Sequence, residues 1–145
     1  MLSGDELCSL RWDPLSQSVS IIDQTLLPHN LRWCQLDSLS AFCHAISAMQ
    51  VRGAPLIGIT AAFGLAHALA DNPSSENLDS TVAALLATRP TAVNLRWALE
   101  QVVATVRDLD PGERAAAARA KAIAMRQQDI ADCARIGEHG LQLLR

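Results

Sequence analysis

Apolar positions fall in short runs over roughly the first 36 residues and recur with a helical period from there onward. Leu10–Trp12, Ser18–Asp23 and Leu31–Gln35 read as three short strands. Asp13-Pro14-Leu15-Ser16 has turn chemistry, because proline presets φ at the second turn position and the aspartate before it bonds the backbone. Pro28-His29-Asn30 breaks the chain again before the third strand. Past Gln35 the spacing predicts a helix capped by Asp37 or Ser38 and running to about Met49. Leu39, Phe42, Cys43, Ile46 and Met49 share one of its faces. Pro55 then opens a second helix through about Leu69, since proline suits the first helical turn. Within it Gly58, Ala62 and Ala66 recur every four residues, as do Gly64 and Ala68. Small side chains at that spacing let a neighbouring backbone come close, so this helix is expected at the centre of the fold.

Asp71-Asn72-Pro73-Ser74-Ser75 is the clearest loop, and a third helix follows over about Leu78–Ala87. Arg89-Pro90 ends it, because the residue before proline is pushed out of the α region. Thr91 is expected to cap a fourth helix with a stripe of Leu95, Leu99, Val102, Val106 and Leu109. Asp110-Pro111-Gly112 separates it from a long last helix. There Ile123, Ile130, Cys133, Gly137, Leu141 and Leu144 should face one side, with Arg119, Arg126, Asp132 and Arg135 largely elsewhere.

Composition supports this picture. The 145 residues are the size of one domain, and half are apolar. Ala supplies 24 of them and Leu 21, against two Phe, three Trp and no Tyr, which favours closely packed helices. The fold class is therefore α+β and mainly α, with a small three-stranded antiparallel sheet (residues 1–36) followed by about five helices (37–145). A net charge of −3 lacks the basic excess of a nucleic-acid binder. The four cysteines show neither C-x-x-C spacing nor a zinc pattern, so no metal is expected. Met1–Leu10 is acidic rather than basic-then-apolar, and a reducing cytoplasm is the expected setting. Gly53–Ala70 carries no formal charge over 18 residues, yet Thr60 and His67 interrupt it; a buried helix is expected rather than a membrane span. Gly140-Leu141-Gln142-Leu143-Leu144-Arg145 has no polar tail, so further chain is expected to follow.

Val51-Arg52-Gly53-Ala54-Pro55 is the most suggestive segment for chemistry. A glycine beside a helix start lets a ligand approach the backbone, and the helix N-terminus carries partial positive charge. Arg52 adds a planar donor fork suited to phosphate. The same turn also reads as a left-handed cap at Gly53 ending the first helix, and the two readings are compatible. Arg89 sits at a similar break, as a second anion contact or as a solvated surface arginine. The remaining candidates read more simply as structure. Adjacent Cys43 and His44 point about 100° apart on a helix. His67 suits a hydrogen-bonded interior position, and Asp23 an end-of-strand cap in preference to a general acid or base. Trp12, Trp33 and Trp97 suit core anchors. Glu138 and His139 lack partners nearby in sequence.

At these residues a resemblance emerges. Met49 to Gly64, reading Met-Gln-Val-Arg-Gly-Ala-Pro-Leu-Ile-Gly-Ile-Thr-Ala-Ala-Phe-Gly, resembles the signature of the methylthioribose-1-phosphate isomerase family. Asp23-Gln24-Thr25-Leu26-Leu27-Pro28, Arg89-Pro90-Thr91-Ala92-Val93-Asn94-Leu95 and Gly137-Glu138-His139-Gly140 extend the match in the same order. Phe63 stands where many members carry Tyr. The match covers only the N-terminal part of the family's sequence. The resemblance implies an aldose–ketose isomerase of methionine salvage, a homodimer in its full form, using no redox cofactor. It interconverts 5-methylthioribose 1-phosphate and methylthioribulose 1-phosphate. It also implies that the family's catalytic cysteine and aspartate lie in a C-terminal Rossmann-like domain absent here. Cys133 precedes the matching segment and does not take that role. Arg52, Gly53, Ala54 and Arg89 match the family's substrate-binding positions. The chain is thus expected to be the N-terminal domain of a truncated two-domain enzyme, inactive alone. Its small-residue helices and Leu141–Leu144 should expose apolar surface and favour self-association. A sister isomerase of another pentose 1-phosphate is one alternative. A non-catalytic regulatory protein, like the related alpha, beta and delta subunits of the exchange factor for translation initiation, is another.

Overall fold

Asp13 closes the first hairpin as its turn chemistry predicts: its carboxylate accepts from the backbone N–H of Leu15 at 3.0 Å and from the Ser16 hydroxyl. The computed structural model describes residues 8–144; Met1–Leu7, most of the segment read above for a leader, and the terminal Arg145 lie outside the described residues. Strands β1 (Leu10–Asp13), β2 (Ser18–Ile22) and β3 (Trp33–Leu36) form an antiparallel sheet in that order. Leu10 pairs with Ile21 and Val19 with Leu36; all four are buried, so alternate positions give the sheet one apolar face. β3 begins two residues later than the periodicity predicts. Ile22, the last residue of β2, pairs with Trp33, and beyond it Asp23 enters a 3-10 turn over Gln24–Leu26. Leu31 has no strand to pair with and stands 69% exposed.

Helix α1 (Leu39–Ser47) starts at Ser38, whose hydroxyl accepts from the Ala41 N–H at 3.1 Å. It buries Phe42, Ala45 and Ile46. Met49 does not extend this face: it takes a left-handed backbone (φ 60°) just after the helix and is 40% exposed. Helix α2 (Ala54–Asp71, 18 residues) packs against α1, α3, α4 and α5 and is the central helix expected from its small residues. A Cβ on Gly58 would lie 2.8 Å from the Asn94 carbonyl oxygen, and one on Gly64 would lie 3.1 Å from the Phe42 side chain. α2 is long and apolar enough to cross a membrane, but a helix wrapped by four others meets the same criterion for a different reason.

Helix α3 (Ser75–Thr88) starts three residues earlier than expected, because the Ser74 side chain accepts from the Asn77 N–H. The loop shrinks to residues 72–74. Asn77 seals it by donating from Nδ2 to the carbonyls of Ala68 and Asn72. Helix α4 (Val93–Val106) buries Leu95, Leu99, Val102 and Val106 as predicted, with Leu109 half-buried beyond its end. Thr91 does not cap it. The cap residue is Ala92, because the Ala92 N–H bonds the Arg89 carbonyl in a turn that leaves Thr91 one residue ahead of the cap.

Helix α5 (Pro111–Leu143, 33 residues) departs most from the sequence reading. Its buried positions are Arg114, Ala118 and Ala122, whereas Ile130, Cys133, Leu141 and Leu144 are exposed. The cause is length. At about 1.5 Å per residue α5 is roughly 50 Å long against roughly 27 Å for α2, so its second half outruns the core. The small-residue helix, in turn, is buried rather than exposed; exposed apolar side chains stand on the far half of α5, where Leu143 is 87% and Leu144 86% exposed, and also at Leu15, Leu31, Val93 and Trp97.

Candidate functional site

Two inter-helix corners meet at one cavity of about 370 Å³. The α1–α2 corner contributes Met49, Arg52, Gly53 and Ala54, and the α3–α4 corner contributes Arg89 and Ala92; Val93 and Asn94 from the first turn of α4 complete the wall with Ile57. All four residues expected to bind substrate (Arg52, Gly53, Ala54 and Arg89) line this one space, although Arg52 and Arg89 are 37 positions apart.

Gly53 serves differently from the expected cap. It is the residue before α2, not the end of α1, with φ 94° and ψ 131°, a region that side-chain-bearing residues rarely adopt. Met49 supplies the left-handed turn after α1 instead. At Gly53 a Cβ would meet nothing within 4 Å, so the backbone there stands open to an approaching group. Neither Gly53 nor Ala92 caps its helix with a side chain. The first-turn N–H groups of α2 and α4 are thus left for another acceptor, and the positive ends of two helix dipoles meet the same cavity.

The charge is one-sided. Arg52 is exposed and Arg89 half-buried, and among the described residues neither guanidinium is held by a carboxylate. Among the described residues no Asp or Glu lines the cavity. Two permanently charged forks and two uncapped helix starts are chemically suited to an anion with several oxygens, such as a phosphate monoester.

A larger cavity of about 610 Å³ adjoins the first, sharing Val93 and Asn94 with it. Pro55, Gly58, Trp97, Ala98 and Met125 give it an apolar wall, while Asp129 and Asp132 stand on its α5 side. Burial, helped by the nearby Asp132 charge, pushes the Asp129 carboxyl above its ordinary value. Two carboxyl groups make this larger space the poorer anion site. Trp97, read from the sequence as a core anchor, is 53% exposed on its wall.

The other candidates behave as structure. Asp23 is a cap that accepts from Thr25, as the sequence reading preferred. Cys43 is half-buried, with its thiol pushed up by burial, beside an exposed His44. His67 lies against Phe42, with ring centroids 5.7 Å apart, and lines a cavity of about 180 Å³. Trp12 stacks on Phe63 at 5.7 Å, and Trp33 lies under the Arg11 guanidinium at 3.9 Å. Glu138 and His139 are exposed on the far half of α5. Sequence reasoning passed over Ala92 and Asn94 as site residues, because an alanine and an asparagine after Arg-Pro-Thr carry no chemical signature until the helix start is located.

Residues 50–145 match the Initiation factor 2 subunit family. A methylthioribose-1-phosphate isomerase of Dechloromonas aromatica is 53% identical over 142 residues, 98% of this chain and 39% of that protein. One of Rhodospirillum rubrum is 52% identical over 128 residues, 88% of this chain and 33% of that protein. Among solved structures, the translation initiation factor eIF-2B subunit delta of A. fulgidus superposes with a TM-score of 0.75 at 29% identity, over 84% of this chain and 37% of that one. The 5-methylthioribose 1-phosphate isomerase of Pyrococcus horikoshii gives 0.72 at 31% identity, over 83% and 36%. The chain thus spans well under half the length of these relatives. The match over residues 50–145, with the likeness of its fold to these solved structures, makes the chain a member of the Initiation factor 2 subunit family.

Proposed function

We propose that this chain is the N-terminal, phosphate-holding part of a methylthioribose-1-phosphate isomerase, and that residues 1–145 act as one domain of a larger cytoplasmic enzyme. The observation that carries the reading is the convergence of Arg52 and Arg89 on one cavity at the starts of α2 and α4. The phosphate of 5-methylthioribose 1-phosphate takes the place of the free anomeric hydroxyl, so the C1–O4 ring bond must break with the phosphate still on C1, and the enzyme must hold that group meanwhile. Arg52 and Arg89 neutralise the phosphate, and the N–H groups beside Gly53 and Ala54 orient it. The adjoining apolar wall at Trp97 and Met125 receives the methylthio end of the sugar. Proton movement at the carbons falls to a cysteine and an aspartate outside this chain.

Charge-assisted contacts contribute about 1.5–3 kcal/mol each, enough to orient a phosphate but not to isomerise the sugar. Titration calorimetry of the purified chain with 5-methylthioribose 1-phosphate and with ribose 1-phosphate tests the reading. Both are expected to bind, the methylthio compound more tightly, with no ketose formed. Ketose formation clearly above buffer would contradict the division of labour. Failure of both sugars to bind would favour the regulatory reading, which the superposition on the delta subunit supports.

A further inference from the structure

The Asp23 carboxylate is 8% exposed and does not line the anion cavity, yet it is tied to the corner that does. Its Oδ1 accepts from the Thr25 N–H at 3.0 Å and from the Thr25 hydroxyl at 2.6 Å. Its Oδ2 accepts from Gln50 Nε2 at 3.0 Å. Gln50 is held a second time, its carbonyl accepting from the Gln24 N–H at 2.9 Å. Side chain and backbone of one residue are thus fixed to the end of β2.

Gln50 lies between Met49 and Arg52, both of which line the cavity. The corner around it is not regular structure: Met49 has φ 60° and Gly53 φ 94°. Besides the Gln24 contact, its backbone is held by the Met49 N–H donating to the Ile46 carbonyl at 3.3 Å, by the Val51 N–H donating to the Ala45 carbonyl at 3.2 Å and by α2 itself. Among the described residues the Arg52 side chain makes no ion pair, so its direction follows from the backbone that carries it.

We propose that Asp23 is a positioning residue for the anion site: through Gln50 it fixes the α1–α2 corner, and so sets how Arg52 and the first turn of α2 present themselves to the cavity. The identity of the ligand rests on the proposed function; the coupling of Asp23 to the corner does not. An ionised carboxylate suits this task better than a neutral amide, because it accepts from three donors at once and bonds each more strongly. The Thr25 hydroxyl, above all, holds its carboxyl below the ordinary range, so it is ionised at neutral pH.

The test compares Asp23→Ala, Gln50→Glu and the double variant Asp23→Asn with Gln50→Glu. The amide resonances of residues 51–54 report the corner, and calorimetry with 5-methylthioribose 1-phosphate reports the site. Gln50→Glu sets two carboxylates face to face and should shift those amides and weaken binding about tenfold. The double variant restores one carboxylate opposite one amide at unchanged net charge, and should recover affinity to within about threefold of the wild type. Wild-type affinity in Gln50→Glu, or a folded double variant as weak as Gln50→Glu, would overturn the proposal. If the wild type binds no sugar phosphate, the functional reading falls and the amides decide: displacement in Gln50→Glu with return in the double variant upholds the coupling, and unmoved amides refute it. Asp23→Ala should match Gln50→Glu at residues 51–54; a spectrum like the wild type's would count against the proposal equally.

Discussion

Single residues at the two corners carry most of the chemical argument. Gly53 holds a conformation costly for any residue with a Cβ, while the space around it is empty. Gly53→Ala should therefore cost about 1–3 kcal/mol through backbone strain alone, with no clash to relieve. Denaturant unfolding would measure it, and an unchanged midpoint would show that the corner relaxes. Asp23 gives a prediction in pH. Its folded pKa lies below the ordinary aspartate value of 3.8, so its stabilising contribution is fully present above that value and is lost as pH falls through the lower, folded one. The difference in unfolding free energy between wild type and Asp23→Asn should stay constant from about pH 7 to about pH 5 and shrink below pH 3.8. At this scale the sequence is informative only where residue type and breakpoint coincide. Arg52 and Arg89 are legible because proline or glycine beside them marks a helix opening. The Asp23–Gln50 bond spans 27 positions and has no local signature.

Between elements, the approach of α2 to α4 positions the site. The Gly58 backbone lies against Asn94 and Ala98, and Asn94 also lines the anion cavity. Gly58→Ala would place a methyl 2.8 Å from a backbone carbonyl, which cannot rotate away as a side-chain tip would. It should destabilise the fold by about 1–3 kcal/mol and displace the start of α4, weakening anion binding as well. A thermal melt and a titration on the same sample would separate the two effects; full stability with full affinity would show that the helices can slide. The four-residue spacing of small side chains announces this contact in the sequence, and only the identity of the partner helix is hidden. The α5 stripe is the opposite case. Its larger apolar residues obey helical periodicity, but periodicity says which side they share and not whether anything lies opposite. Alanines make the core contact, and helix length decides the rest.

Across the whole molecule, Arg114 ties the loops at one end of the helices together. It is 6% exposed and donates to the carbonyls of Leu109, Pro73 and Arg107 and to the Ser75 hydroxyl. Its replacement by Ala would leave three carbonyls poorly satisfied and should cost roughly 2–4 kcal/mol, read by denaturant unfolding. The proposed anion site lies on other corners, where Arg52 and Arg89 share a cavity that no acidic residue lines among the described residues. On the proposed reading these two guanidinium groups together hold the phosphate of the sugar. The most direct measurement is a ³¹P NMR titration of 5-methylthioribose 1-phosphate with the wild type, Arg52→Ala, Arg89→Ala and the double variant. A saturable shift is expected with the wild type, binding weaker by about 10–100-fold in each single variant, and no detectable shift in the double. A double variant that still moves the phosphate resonance as the wild type does would contradict that reading.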